Sequence, residues 1–142
     1  MDLARPRVIE FPSFGDASTG ILTVADLQRD IPFEVRRVFW TYGTPPNVTR
    51  GRHAHYRTET LLVAVSGRIV VSTELPDGEL EEFILDSPDQ GLYLPPLCWH
   101  TMRYTGSAVQ VAFESNDYIN EDYIRSLDDF RAMGDPSVRE RD

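Results

Sequence analysis

Cysteine is nearly absent from this chain. Cys98 is the only one, so no intramolecular disulfide can form, which fits a reducing compartment such as the cytoplasm. Basic charge is also short: 14 Lys and Arg against 23 Asp and Glu leave a formal net charge of −9. That argues against a nucleic-acid surface, which needs a basic stripe. It does not exclude a small anionic ligand, because a few arginines in a cleft can hold a phosphate locally. No apolar run is long enough to cross a bilayer. The opening residues, Met1 to Pro6, lack the apolar core of a signal peptide. The expectation is a cytoplasmic protein whose partner is neither nucleic acid nor membrane. Histidine is scarce too, with only His53, His55 and His100.

The length of 142 residues suits a single domain over 1–142 with a proper core. Short runs rich in β-branched and aromatic residues alternate with turn signals. Strands are predicted over residues 8–11, 20–24, 33–42, 60–65, 68–75, 80–85, 91–94, 99–104 and 108–114. Ser66-Gly67 reads as a hairpin turn and Pro76-Asp77-Gly78 as a second turn. In the 33–42 run neither face is purely apolar, which predicts that one face lines a cavity. Near the end the pattern changes. Asn120 is placed to cap a helix over 121–133, with Tyr123, Leu127 and Phe130 as the stripe that packs on the strands. Gly134-Asp135-Pro136 should end it, and residues 137–142 read as a frayed polar tail. Many short strands with turns between them predict an all-β sandwich or barrel with a C-terminal helix.

The chemistry concentrates in Arg50-Gly51-Arg52-His53-Ala54-His55. Side chains alternate along a strand, so His53 and His55 share a face. His100 arrives later, in Pro95-Pro96-Leu97-Cys98-Trp99-His100. A small β-barrel with His-x-His and a distant third histidine resembles the cupin superfamily. Its metal-binding members carry a glutamate that this chain has one residue early, at Glu59. A one-residue shift turns a strand side chain to the opposite face, so Glu59 should point away from the histidines unless a bulge re-aims it. Three imidazoles alone can still hold zinc.

The set of motifs is more specific than His-x-His. Arg50 to His55, Ser66-Gly67, Gly91-Leu92-Tyr93-Leu94-Pro95-Pro96, Trp99-His100 and the stretch from Asp117 to Arg125, with the strand from Ile31 to Tyr42, together resemble the sugar-nucleotide 3,4-ketoisomerases (WxcM-like or FdtA-type). The likeness runs over about residues 20–132. It implies a small cupin-type jelly-roll barrel, a homodimer, and no metal or other cofactor. It implies a substrate, dTDP-4-keto-6-deoxyglucose, whose keto group moves from C4 to C3. It also implies His53 as the base, His55 as its catalytic partner and His100 facing the sugar. Imidazole suits the task, since it takes and returns a proton near neutral pH. Tyr42 is a further candidate donor to the enediolate oxygens. Arg50 and Arg37 are candidates for the pyrophosphate, with Arg52 beside them, and Tyr93 and Trp99 for the sugar or base pocket. The chain departs from the family pattern at Tyr56 (usually lysine), Thr60 (usually glutamine) and Thr19-Gly20 (usually Arg-Gly). Two other readings stand beside this one: a metal-dependent cupin enzyme using His53, His55, Glu59 and His100, and a sugar-nucleotide binding module without catalysis.

Overall fold

Alternating apolar and polar residues need a second layer to cover their apolar face, and here two sheets cover each other. The computed structural model describes residues 4–134. In chain order the strands are β1 (Arg7–Glu10), β2 (Ser13–Asp16), β3 (Gly20–Thr23), β4 (Arg37–Tyr42), β5 (Thr49–His55), β6 (Thr60–Ser66), β7 (Ile69–Glu74), β8 (Leu80–Leu85), β9 (Gln90–Leu94), β10 (Trp99–Tyr104), β11 (Val109–Glu114) and β12 (Tyr123–Ile124), followed by helix α1 (Leu127–Ala132). One sheet has the order β1-β9-β6-β11-β4 and the other β12-β5-β10-β7-β8, while β2 and β3 form a separate hairpin. All pairings between these strands are antiparallel. The architecture is the all-β sandwich that the residue pattern predicts, in the cupin-like jelly-roll form that the resemblance implies.

The alternation decides which side chains meet. Leu62, Ala64, Leu92, Leu94 and Ala112 of the first sheet pack against Ile69, Val71, Leu85, Met102 and Tyr104 of the second. On the outer side of the first sheet, Leu61, Val63 and Tyr93 are covered by Phe11, Ile31 and Phe33. On the outer side of the second, Ala54 and Trp99 are covered by Ile124 and Phe130, with Leu127 beside them. The apolar filling closes one part of the sandwich. Between the edge strands β4 and β12 the groups are polar and aromatic instead, and Arg37 of β4 reaches the Tyr123 hydroxyl of β12 at 3.4 Å.

Three elements differ from expectation, the first being β2, which forms over Ser13–Asp16 where no strand is predicted. The strand over 33–42 starts only at Arg37, because Phe33 is drawn onto the outer apolar cluster. The helix over 121–133 is three pieces: a 3-10 turn at Asn120–Asp122, strand β12, and α1. Ser126, not Asn120, caps α1, by accepting a hydrogen bond from the Asp129 amide. Tyr123 and Ile124 pair with His55 and Ala54 as an added strand, and the ladder outweighs the helical spacing. Leu127 and Phe130 do pack on the sheet, as expected. The frayed tail expected over residues 137–142 lies outside the described residues.

One bulge positions the site. His53 lies opposite His100, yet Gly51 lies opposite Thr101, so Arg52 is the extra residue on β5. Gly51 has φ +84 and Arg52 φ +61. A Cβ at residue 51 would stand 2.8 Å from the His100 carbonyl oxygen, so glycine is required there on two counts. Beyond the bulge, Arg50 pairs with Met102, an inward-facing residue. Arg50 therefore shares a face with His53 although the two are an odd number of residues apart.

Candidate active site

Strand β5 supplies His53 and His55 from one face, and its neighbour β10 supplies His100. The His53 ring lies 4.7 Å from the His100 ring and 5.1 Å from the His55 ring, while His55 and His100 stack at 6.3 Å. Strand β12 brings Tyr123 over the same space, 5.0 Å from His53 and 4.4 Å from His55. The three imidazoles thus converge between the sheets.

Their partners differ. His53 Nδ1 sits 3.1 Å from the Gly51 carbonyl and His100 Nδ1 3.0 Å from the Cys98 carbonyl. A carbonyl only accepts, so in both rings Nδ1 carries the hydrogen and Nε2 is bare. Burial, reinforced by His55, lowers the His53 pKa to about 4. Burial, reinforced by His53, lowers that of His100 to about 3. Both are neutral bases at physiological pH. His55 has a carboxylate instead: its Nδ1 is 3.2 Å from Asp122 Oδ2. Burial lowers its pKa as well, while Glu114 and Asp122 pull the other way.

A second layer holds these groups. Thr60, Glu114 and Arg37 lie side by side on β6, β11 and β4. Arg37 donates to Glu114 Oε1 at 2.8 Å, and the Thr60 hydroxyl donates to Oε2 at 3.1 Å. Arg37 also reaches the Tyr123 hydroxyl at 3.4 Å. Arg125 stacks over the Tyr123 ring at 4.3 Å and donates to Asn120 at 3.1 Å.

Of the candidates chosen from sequence, His53, His55, His100 and Arg37 come together, and Arg50 is turned to their side of β5. Tyr42 is not brought in. It projects from the outward face of β4, 71% exposed, where it lines a groove of about 360 Å³ with Trp40 and Arg50. The even spacing from Arg37 is broken by one residue, so Tyr42 takes the opposite face. Tyr93 is also elsewhere. It packs with Phe33 outside the first sheet and donates to Glu59 at 2.6 Å. Glu59 therefore points away from the histidines, as its offset predicts. Trp99, one residue before His100, faces the helix and packs on Phe130 at 5.8 Å. Arg52 is exposed at the bulge and forms no hydrogen bond or ion pair among the described residues. Sequence reasoning did not select Glu114, Asp122, Tyr123 or Arg125 for the site. Glu114 had a signal, a carboxylate in an otherwise apolar run. Tyr123 was masked by its place in the apparent helical stripe.

Comparisons with known proteins give the family. The family described as FdtA, WxcM-like, C-terminal matches residues 4–135. The chain belongs to this family. It is 37% identical over 127 residues to the TDP-4-oxo-6-deoxy-alpha-D-glucose-3,4-oxoisomerase of Aneurinibacillus thermoaerophilus, spanning 88% of this chain and 89% of that one. A mutant of the 3,4-ketoisomerase QdtA from Thermoanaerobacterium thermosaccharolyticum, solved with TDP-4-keto-6-deoxyglucose, superposes with a TM-score of 0.87 at 30% identity, over 94% of this chain and 96% of that one. The rmlC epimerase of Mycobacterium tuberculosis shares the fold at a TM-score of 0.71 and 15% identity, over 87% of this chain and 69% of that one. Like its FdtA-family relatives, this chain is an isomerase. Isomerisation between neighbouring carbons needs proton carriers and no net redox change, which is the chemistry that clustered neutral imidazoles offer.

Proposed function

We propose that this chain is a sugar-nucleotide 3,4-ketoisomerase that converts dTDP-4-keto-6-deoxyglucose to a dTDP-3-keto-6-deoxyhexose. The observation that carries this reading is the convergence of His53, His55 and His100 in one cluster between the sheets, with the Nε2 atoms of His53 and His100 bare. In the proposed reaction His53 Nε2 removes the C3 proton, acidified by the neighbouring ketone. The C–H electron pair forms the C3–C4 double bond, and O4 takes the negative charge. Return of a proton to C4, with loss of the O3 hydrogen and protonation of O4, gives the 3-ketone and a C4 hydroxyl. Protons alone move, so the reaction needs no redox cofactor. His100 faces the sugar. Arg50, on the histidine face of β5, anchors the pyrophosphate by charge-assisted hydrogen bonds. Incubation with dTDP-4-keto-6-deoxyglucose in heavy water is expected to yield the 3-keto sugar with deuterium at C4, and recovered substrate with deuterium at C3, read by proton NMR. No uptake with this or any other 4-keto sugar nucleotide would overturn the reading.

The same reading places the enzyme in the cytoplasm as a single catalytic domain that works as a homodimer. The outward face of β4 supports the dimer. Val38, Trp40 and Tyr42 are 46%, 64% and 71% exposed there, and Val65 on β6 is 43% exposed, a contiguous apolar face of a kind that a monomer rarely leaves in water. Trp40→Glu should shift the protein from dimer to monomer in sedimentation velocity at micromolar concentration. A wild-type monomer would contradict the assignment, and so would an unaffected dimer of the variant.

A further inference from the structure

The inner face of the sandwich carries a second polar pair, away from the histidines. On β10 the inward residues run His100, Met102, Tyr104, and on β11 they run Gln110, Ala112, Glu114. His100 and Glu114 stand at the histidine end, Met102 and Ala112 in the middle, and Tyr104 and Gln110 at the far end. Tyr104 is 4% exposed and Gln110 1%, and the Tyr104 hydroxyl donates to Gln110 Oε1 at 3.2 Å. Across the ladders they face Ile69 and Ala64, both apolar core residues. Phenylalanine and leucine would fill such places without the cost of burying a hydroxyl and an amide. Packing alone does not account for the pair.

Arg50 supplies a reason. Beyond the bulge it stands opposite the inward-facing Met102. Tyr104 is then its diagonal neighbour on the same inner face, within reach of a side chain as long as arginine. Burial pushes the Tyr104 pKa up to about 12, with the charge of Arg50 pulling the other way. The phenol is therefore neutral at physiological pH, and the guanidinium is near enough to act on it. No carboxylate among the described residues pairs with Arg50. Tyr104 gives its hydrogen to Gln110, so its oxygen offers Arg50 lone pairs only. A neutral acceptor orients a guanidinium without cancelling its charge, as a carboxylate in the same place would.

We propose that Tyr104 and Gln110 form a positioning pair that steadies Arg50 from inside the sandwich while leaving its full charge to the pyrophosphate of the nucleotide. This rests on the ketoisomerase reading, which gives Arg50 the pyrophosphate. Gln110 fixes the direction of the phenol hydrogen, and the phenol oxygen accepts from one guanidinium N–H. The other N–H groups of the fork remain for the ligand. Neither residue meets the reacting carbons, so the pair acts on binding and not on proton transfer.

A double-mutant cycle read by calorimetric titration with dTDP tests the pair. Tyr104→Phe keeps the ring in the core and removes only the hydroxyl. It should weaken dTDP binding about tenfold, the effect of one hydrogen bond to a charged group, and raise KM for the sugar nucleotide by the same factor while kcat holds. Arg50→Gln should weaken dTDP binding about 10²-fold. The double variant should bind as Arg50→Gln does, because a phenol that acts through Arg50 then has nothing to act on. A further tenfold loss in the double variant would mark Tyr104 as merely structural. Unchanged binding by Tyr104→Phe would overturn the proposal, and unchanged binding by Arg50→Gln would take the pyrophosphate from Arg50 and the proposal with it. Gln110→Glu still accepts from the Tyr104 hydroxyl, yet its carboxylate draws on the charge of Arg50. At pH 8 it should weaken dTDP binding about tenfold; wild-type affinity there would show that the charge of Arg50 is not what the pair protects. Failure of the ketoisomerase reading looks different, since wild-type protein would then form no 3-keto product while the dTDP titrations still showed the coupling.

Discussion

His53→Asn is expected to reduce turnover of the keto-sugar nucleotide by about 10² to 10⁴-fold, the usual worth of a positioned general base. The substitution is a narrow one. The carboxamide nitrogen of asparagine can occupy the place of His53 Nδ1 and keep the hydrogen bond to the Gly51 carbonyl, so the bulge that sets Gly51 and Arg52 need not change. What disappears is Nε2, the bare nitrogen. Nucleotide affinity should stay within a few-fold, because the proposed pyrophosphate anchor, Arg50, is untouched by the substitution. Steady-state rates and calorimetric titration with dTDP separate the two. Full turnover in the variant would hand the role of base to His100, the other neutral imidazole with a carbonyl-bound Nδ1. The expected result therefore discriminates between two rings that lie only 4.7 Å apart.

The strands were legible because their alternation is strong. β7 and β11 follow the inward and outward rhythm along their whole length. The His53 and His55 pair was legible for the same reason, since two residues apart on a strand means one face. Three features were not legible, each for a physical reason. The bulge at Gly51-Arg52 changes the parity of β5, so spacing alone would put Arg50 on the wrong side of the strand. Tyr123, Leu127 and Phe130 fit a helical stripe, yet Tyr123 joins a sheet edge, because pairing with His55 satisfies its backbone and the Ser126 cap starts the helix later. Glu114 and Asp122 come from distant parts of the chain and become partners of His55 only when β11 and the 3-10 turn close on β5. Tertiary closure, and not local pattern, makes that half of the site. The departure at Thr60 also acquires a meaning here, since its hydroxyl supports Glu114.

Acid should unfold this protein well before its carboxylates are exhausted, and the histidines are the cause. In the unfolded chain each takes up its proton near the ordinary value of 6.5; in the folded chain His53 waits until about 4 and His100 until about 3. Between those limits the unfolded state binds more protons, so stability falls as the pH drops. The contribution is complete above pH 6.5 and drains away down to the folded values. Each histidine adds a slope of up to about 1.4 kcal/mol per pH unit. His55 adds to it in the same direction, since its pKa is also lowered. Over two pH units the buried rings together remove several kcal/mol, a large part of the roughly 5–15 kcal/mol that a domain has to lose. Urea midpoints at pH 7.5, 6.0 and 5.0 should fall in that order, steeply below 6.5. His100→Asn, which can keep a donor on the Cys98 carbonyl but has no proton to gain, should flatten the slope by up to about 1.4 kcal/mol per unit. A wild-type midpoint that holds constant from pH 7.5 to 5.0 would mean the rings titrate in the folded state as they do in the unfolded chain, and the burial that keeps His53 and His100 neutral into the acid range would have to be given up.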